Sequence, residues 1–340
     1  MIDDSFPPVT AASNRSRGLH RWALLAAIMT FILIFVGGLV TTTGSGLSVP
    51  DWPLAFGKLV PPHWVGGIRF EYSHRVAAGT VTILTFSLAV WAWMAEARRW
   101  VRNLALAACG LVIAQALLGA MNVLFRLPLP VTVAHAAIAP AFFCLMVGLA
   151  MFTNPSWDAM LPARTADRAR PTLRTLTVLT VAAVYLQIII GALMRNMGAG
   201  LAIPDFPLNY GHLVPPGWSA PIAVNFAHRC GALVVTILVV WTVARIARRH
   251  RDEPRLMRPA IGLLTLLAIQ ITLGALTIWT RRAMLPTTAH VAVGAGVLAT
   301  AFFLSIRVAR LTRVADAAQA PAAQPDYARD RTVAGRGVAS

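Results

Sequence analysis

The stretch GGLVTTTGSGLSVPDWPLAFGKLVPP (37–62) returns as GALMRNMGAGLAIPDFPLNYGHLVPP (191–216), 154 residues further on. Each copy leads into an apolar segment that carries a histidine. His74 lies in FEYSHRVAAGT and His228 in NFAHRCGALVV, again 154 residues apart. Further along, AQALLGAMNV from Ala114 corresponds to IQITLGALTI from Ile269. Beyond these come His135 in VTVAHAAIAP and His290 in TTAHVAVGAG, 155 residues apart. The chain is therefore read as a duplication.

The 340 residues are 57% hydrophobic and only 13% charged, with a mean hydropathy of +0.65. Soluble domains carry about 25% charged residues, so this composition belongs in a bilayer. Eight apolar stretches are long enough to cross about 30 Å of hydrocarbon as helices. They fall near 20–41, 73–94, 103–125, 131–152, 174–195, 227–247, 258–280 and 286–308. None shows the strict alternation of a barrel strand. The fold class expected is an all-α membrane protein with eight transmembrane helices, arranged as two tandem parallel four-helix repeats.

The net charge of +17 would suit nucleic acid, but its distribution points elsewhere. Most Lys and Arg fall in the tails and near 98–102, 164–174 and 245–258. That is the positive-inside pattern, which places both termini in the cytoplasm. No nucleic-acid partner is expected. The domains follow: a disordered cytoplasmic tail at 1–18, halves at 19–152 and 174–310, a basic cytoplasmic linker at 153–173, and a second disordered cytoplasmic tail at 311–340. The first apolar stretch is too long for a signal-peptide core and reads as a retained helix.

With this topology the even-numbered helices start at the outer face, and all four histidines sit in their first turn or two. Ionisable side chains inside a membrane segment are functional candidates by default. Four imidazoles at one depth, in two pairs, suit the axial ligands of haem iron. The simplest pairing is His74 with His135 and His228 with His290. His20, His63, His212 and His250 read as solvated. Arg75 and Arg229 follow their histidines directly and are candidate partners for haem propionates.

The duplication breaks at Glu71, whose counterpart is Asn225. A carboxylate beside one site and an amide beside the other suggests unequal work, whereas the plain alternative is a helix cap. Asp51 and Asp205, in PDWP and PDFP, read as organisers of turns. Trp52, Trp64 and Trp218 fit an interfacial belt. Cys109, Cys144 and Cys230 lie inside helices, where free cysteine is usually a small hydrophobe.

The TGSGL…W loop, the EYSHR that follows it and the later AH and AHR histidines resemble haem A synthases across nearly the whole membrane portion. The resemblance implies a membrane-bound oxidoreductase that converts the C8 methyl of haem O to a formyl group, giving haem A for terminal oxidases. It implies that the N-terminal half receives substrate haem through His74 and His135, beside a catalytic Glu71. It also implies that the C-terminal half holds a haem b cofactor on His228 and His290. The partners it implies are haem O, haem A, the bilayer, the farnesyltransferase that makes haem O and an electron-transfer protein, and it leaves room for a homo-oligomer. The location implied is the bacterial cell membrane. The alternative class is a di-haem b electron-transfer subunit, which needs no Glu71. Two departures stand out: the outer loops lack the cysteine pair of many members, and Thr42 and Thr43 replace a basic residue found just before TGSGL.

Overall fold

The computed structural model describes residues 9–157 and 170–318, with side chains over 17–157 and 170–311. The tail segments 1–8 and 319–340, and most of the linker (158–169), lie outside the described residues. Among the described residues there are eight α-helices: α1 Val9–Thr42, α2 Gly66–Ala95, α3 Arg99–Leu124, α4 Leu129–Phe152, α5 Leu173–Asn196, α6 Ala220–Arg249, α7 Pro254–Trp279 and α8 Met284–Ala318. All eight are long and apolar enough to cross a membrane. This is an all-helical, multi-pass membrane protein. Two helices reach into the segments read as tails, since α1 starts at Val9 and α8 continues to Ala318.

Each set of four consecutive helices packs as a ring, α1–α2–α3–α4 and α5–α6–α7–α8, and the rings meet through α1, α4, α5 and α8. Each ring has its own apolar core, Leu19 to Ala150 in the first and Leu173 to Leu311 in the second. A small cluster of Phe143, Ala295 and Ala299 fills the seam. Helices α4 and α8 are the most buried. The outward faces stay apolar, as with Ile83, Leu117, Leu186 and Leu233. Without a hydrophobic force between helices, association in lipid rests on close packing and on hydrogen bonds between them. The latter include Thr180 with Thr242 at 3.0 Å.

The start of α1, the end of α8 and the basic turns lie at one end of the bundle, and the long loops 43–65 and 197–219 cover the other. Both loops are built alike. Ala55 and Lys58 pair antiparallel around Phe56 and Gly57, whose φ values are 56° and 70°. Asn209 and His212 do the same around Tyr210 and Gly211, at 57° and 75°. Two successive residues with positive φ form the tightest class of reversal, and glycine suits the second position. The Asp51 carboxylate accepts from both amides, Phe56 N and Gly57 N, at 2.7 Å each. Asp205 accepts from Tyr210 N and Gly211 N at 2.8 Å each. The turn-organising role expected of the two acids is what the structure shows.

The N–H of Gly57 chiefly holds the Asp51 carboxyl below its ordinary range, and that of Gly211 does the same for Asp205. A depressed folded-state pKa stabilises the turn above the ordinary carboxylate value, and that contribution is lost as pH falls through the lowered one. Exchange protection of the Phe56 and Gly57 amides, corrected for intrinsic rate, should stay flat from neutral pH to about 4 and fall only below it. Asp51→Asn should give weaker protection without that acid limb. A limb that persists in the variant would assign it to another group.

Candidate functional site

The histidines lie deeper than their sequence positions suggest, because α2 and α6 begin seven residues before the predicted starts, at Gly66 and Ala220. His74 and His228 therefore sit in the third turn of their helices, about 12 Å along the axis at 1.5 Å per residue. His135 and His290 sit in the second turn of α4 and α8. The two main core clusters stop short of all four. They begin at Val81, Phe142, Val235 and Val297, each seven residues beyond its histidine, while on α8 the small side chains of Ala292 and Ala295 are buried nearer to His290. Between the packed core and the roof lies a layer where imidazoles take the place of core side chains.

Each ring rests on a glycine of the preceding helix. A Cβ on Gly37 would come within 3.1 Å of the His74 ring, and one on Gly191 within 2.9 Å of the His228 ring. One on Gly274 would meet His290 at 3.1 Å, and one on Gly119 would meet His135 at 3.7 Å. Gly37 and Gly191 are 154 residues apart, and Gly119 and Gly274 are 155 apart, the spacings of the histidines themselves. The glycines act as shelves that let a ring approach the neighbouring backbone.

Glutamines complete the surroundings. Gln270 accepts from His290 Nδ1 through its backbone carbonyl at 3.1 Å, and its side-chain amide lies 3.4 Å from His290 Nε2. Its counterpart Gln115 donates to the His135 carbonyl at 3.0 Å. Gln187 reaches His228 Nδ1 at 3.0 Å and the His228 carbonyl at 2.7 Å. The first half has Leu33 at that place. The His74 and His135 Nδ1 atoms are buried with no hydrogen-bond partner. His228 and His290 face each other with ring centres 6.4 Å apart and planes at 71°. Two imidazoles bonded to one metal at about 2 Å each have centres about 6 Å apart once half a ring is added on each side. The spacing of His228 and His290 is that of two imidazoles sharing one metal, and His74 with His135 offer the same donor types at the corresponding places.

Glu71 is buried in the second turn of α2, whose N-cap is Val65, so it is no helix cap. Its Oε1 accepts from Arg75 at 2.6 Å and its Oε2 from Val49 N at 2.8 Å. Arg75 also donates to the carbonyls of Val49, Asp51 and Leu54 at 2.7–3.0 Å, clamping the roof loop onto α2. Asn225 reproduces the clamp with reversed polarity. Its amide donates to Ala199 O at 2.8 Å, and its carbonyl accepts from Arg229 at 3.0 Å. Arg229 in turn donates to Ile203 O and Leu208 O at 3.0 and 2.7 Å. Thr42 and Thr43, which mark the departure before TGSGL, are bonded within the protein. Thr42 accepts from Thr288 at 3.3 Å, and Thr43 lies 2.7 Å from Ser45.

Two histidines read as solvated are not. His20 bonds the Ala150 carbonyl at 2.9 Å, and His250 is buried at the C-cap of α6. Both stand at the basic end, where helix ends pack closely enough to enclose a flanking side chain. His63 and His212 are exposed, as expected. Cys109 and Cys144 are buried and Cys230 is exposed, all without a disulfide. Nothing in hydropathy marks the shelf glycines or the glutamines, yet their repeat spacing, shared with the histidines, is a signal the sequence does contain.

Residues 20–65 and 68–302 match the profile of a family described as cytochrome oxidase assembly protein. The chain belongs to this family. It is 32% identical over 269 residues to a haem A synthase of Symbiobacterium thermophilum, covering 76% of this chain and 85% of the relative. It is 31% identical over 271 residues to a haem A synthase of Listeria monocytogenes serovar 1/2a, covering 77% and 86%. With a haem A synthase of Alkalihalophilus pseudofirmus the identity is 30% over 233 residues, covering 67% and 77%. The family match spans both roof loops and all four histidines.

The shelves yield a packing test. Gly191→Leu drives a side chain into the His228 ring and should cost roughly 1–3 kcal/mol, as overpacking does. Gly110→Leu, at an exposed helical glycine with open space beside it, should leave stability unchanged or raised. Thermal unfolding in detergent compares the two, and equal losses would remove the shelf argument.

Proposed function

We propose that this protein is a haem A synthase, a membrane enzyme that oxidises the C8 methyl of haem O to a formyl group. One observation carries the reading: two histidine pairs in matched shelves, with a buried carboxylate beside one pair only. The N-terminal half (19–152) receives substrate haem O on His74 and His135. The C-terminal half (174–310) keeps a haem b on His228 and His290, which supplies electron-transfer chemistry when bound. The two halves are related as tandem repeats about an axis along the membrane normal.

Glu71 acts as the catalytic carboxylate. Both its oxygens are engaged, so it serves as a fixed anion held at the rim of the substrate site. Taking a methyl group through hydroxylations to a gem-diol, which loses water, removes four electrons and four protons overall for each water oxygen incorporated, with the electrons passing to an external acceptor. Positive character develops at that carbon, and a preorganised anion stabilises it. The roof loops limit access of bulk water to the substrate. Any propionate contact by Arg75 or Arg229 is confined to the N–H groups that their loop bonds leave over. Consistent with the positive-inside pattern, the roof faces outward from a bacterial cell membrane and both termini lie in the cytoplasm. Partners consistent with this chemistry are the farnesyltransferase that makes haem O, an electron-transfer protein and further copies of the chain.

Purified protein supplied with haem O and an electron-transfer partner should yield extractable haem A. Recovery of haem b alone would leave an electron-transfer subunit. Glu71→Gln should keep the haem b while haem A formed per haem b-loaded protein falls about a hundredfold or more, the scale of losing one electrostatic stabiliser. Near-normal yield would remove Glu71 from the chemistry. Reporter fusions at Gly200 and Ser156 should read outer and cytoplasmic respectively, and the reverse result would overturn the orientation.

A further inference from the structure

The C-terminal turn of α5 carries a guanidinium that the described residues leave almost unpartnered. Arg195 Nη1 donates to Thr41 Oγ1 at 2.9 Å, and its Nε is buried with no hydrogen-bond partner. No carboxylate among the described residues bonds it, and its electrostatic neighbours are Arg282 and His290. Arg282 reaches in from the α7–α8 turn, its Cδ running 3.9 Å from where a Cβ on Gly200 would stand. Guanidinium has five donors and cannot shed its charge. A helix C-terminus favours a cation by about 1 kcal/mol or less at an exposed site, which does not offset burial of an unpaired one. A buried cation with a second, half-buried one beside it calls for an anion.

The fold itself does not require either arginine. At the corresponding places the first half has Thr41 and Leu127, and Leu127 packs over Gly46 as Arg282 passes over Gly200. The charge was added to one half only, next to His290. The arginines that follow the histidines are largely committed to the roof loops, which leaves Arg195 and Arg282 as the freer pair.

We propose that Arg195 and Arg282 form a carboxylate clamp for the porphyrin bound at His228 and His290. This rests on the haem reading of the site. The clamp adds a hold on the acidic edge of the porphyrin to that of the axial ligands.

The test uses the full chain in detergent with His74 and His135 replaced by Leu, so that uptake reports the second site. It is loaded with protohaem or with protohaem dimethyl ester, which lacks the carboxylates, and release to apomyoglobin is timed. Charge-assisted hydrogen bonds predict release of protohaem about ten- to a hundredfold slower than of the ester. Arg195→Gln should bring the two rates within about threefold of each other, with Arg195→Lys between. If Arg195→Gln fails to fold, Arg282→Gln and the parent's own discrimination still decide. Equal release of both porphyrins from the parent overturns the clamp. Uptake of neither overturns the haem reading itself, and the clamp with it.

Discussion

An imidazole placed inside an apolar bundle must be given something to bind, and most of this structure follows from that constraint. Desolvating a polar ring costs free energy unless a partner compensates it, and here four rings are brought into one layer. The glycine shelves exist because each ring needs room against a neighbouring helix. The glutamines exist because a ligating histidine is oriented by what its other nitrogen or its backbone meets. The two main apolar clusters end seven residues from each histidine along its helix, and on α8 the small Ala292 and Ala295 are buried closer. The roof loops, fastened by Arg75 and Arg229, close the layer from above.

The sequence repeat places two histidine pairs in this layer, and on the proposed function the departures from the repeat divide their work. Glu71 against Asn225 gives the first half a buried anion. Gln187 against Leu33 gives the second half a contact to the His228 ring, and Arg195 against Thr41 and Arg282 against Leu127 give it two further cations. A carboxylate near the first pair suits chemistry on a bound molecule. Guanidinium groups near the second suit holding one. Equal scaffolds with unequal charges are what an enzyme with one substrate haem and one resident haem requires.

Much of this was legible in the sequence. Hydropathy alone marks the eight helices, and the 154-residue spacing of PDWP and PDFP aligns the two roof loops before any coordinates. The starts of α2 and α6 were misplaced because GGIRFEY and APIAVNF mix Gly, Pro and polar residues that resemble loop. These turns are helical because their polar side chains are satisfied by the roof, as Glu71 is by Val49 and Arg75. His20 and His250 depart from the sequence reading for a related reason: their basic flanks suggest solvent, but long-range packing half-buries His20 and buries His250. The asymmetric arginines escape a reading by motif, since only the fold shows that Arg195 meets Thr41 across the two halves.

The central claim is that the two histidine pairs hold different haems. It is tested most directly by the porphyrins that survive purification from cells making haem O. The account predicts that His228→Leu with His290→Leu loses haem b. It also predicts that His74→Leu with His135→Leu keeps haem b and loses haem O and haem A. The same porphyrin content in both double variants, whether full or empty, would contradict it.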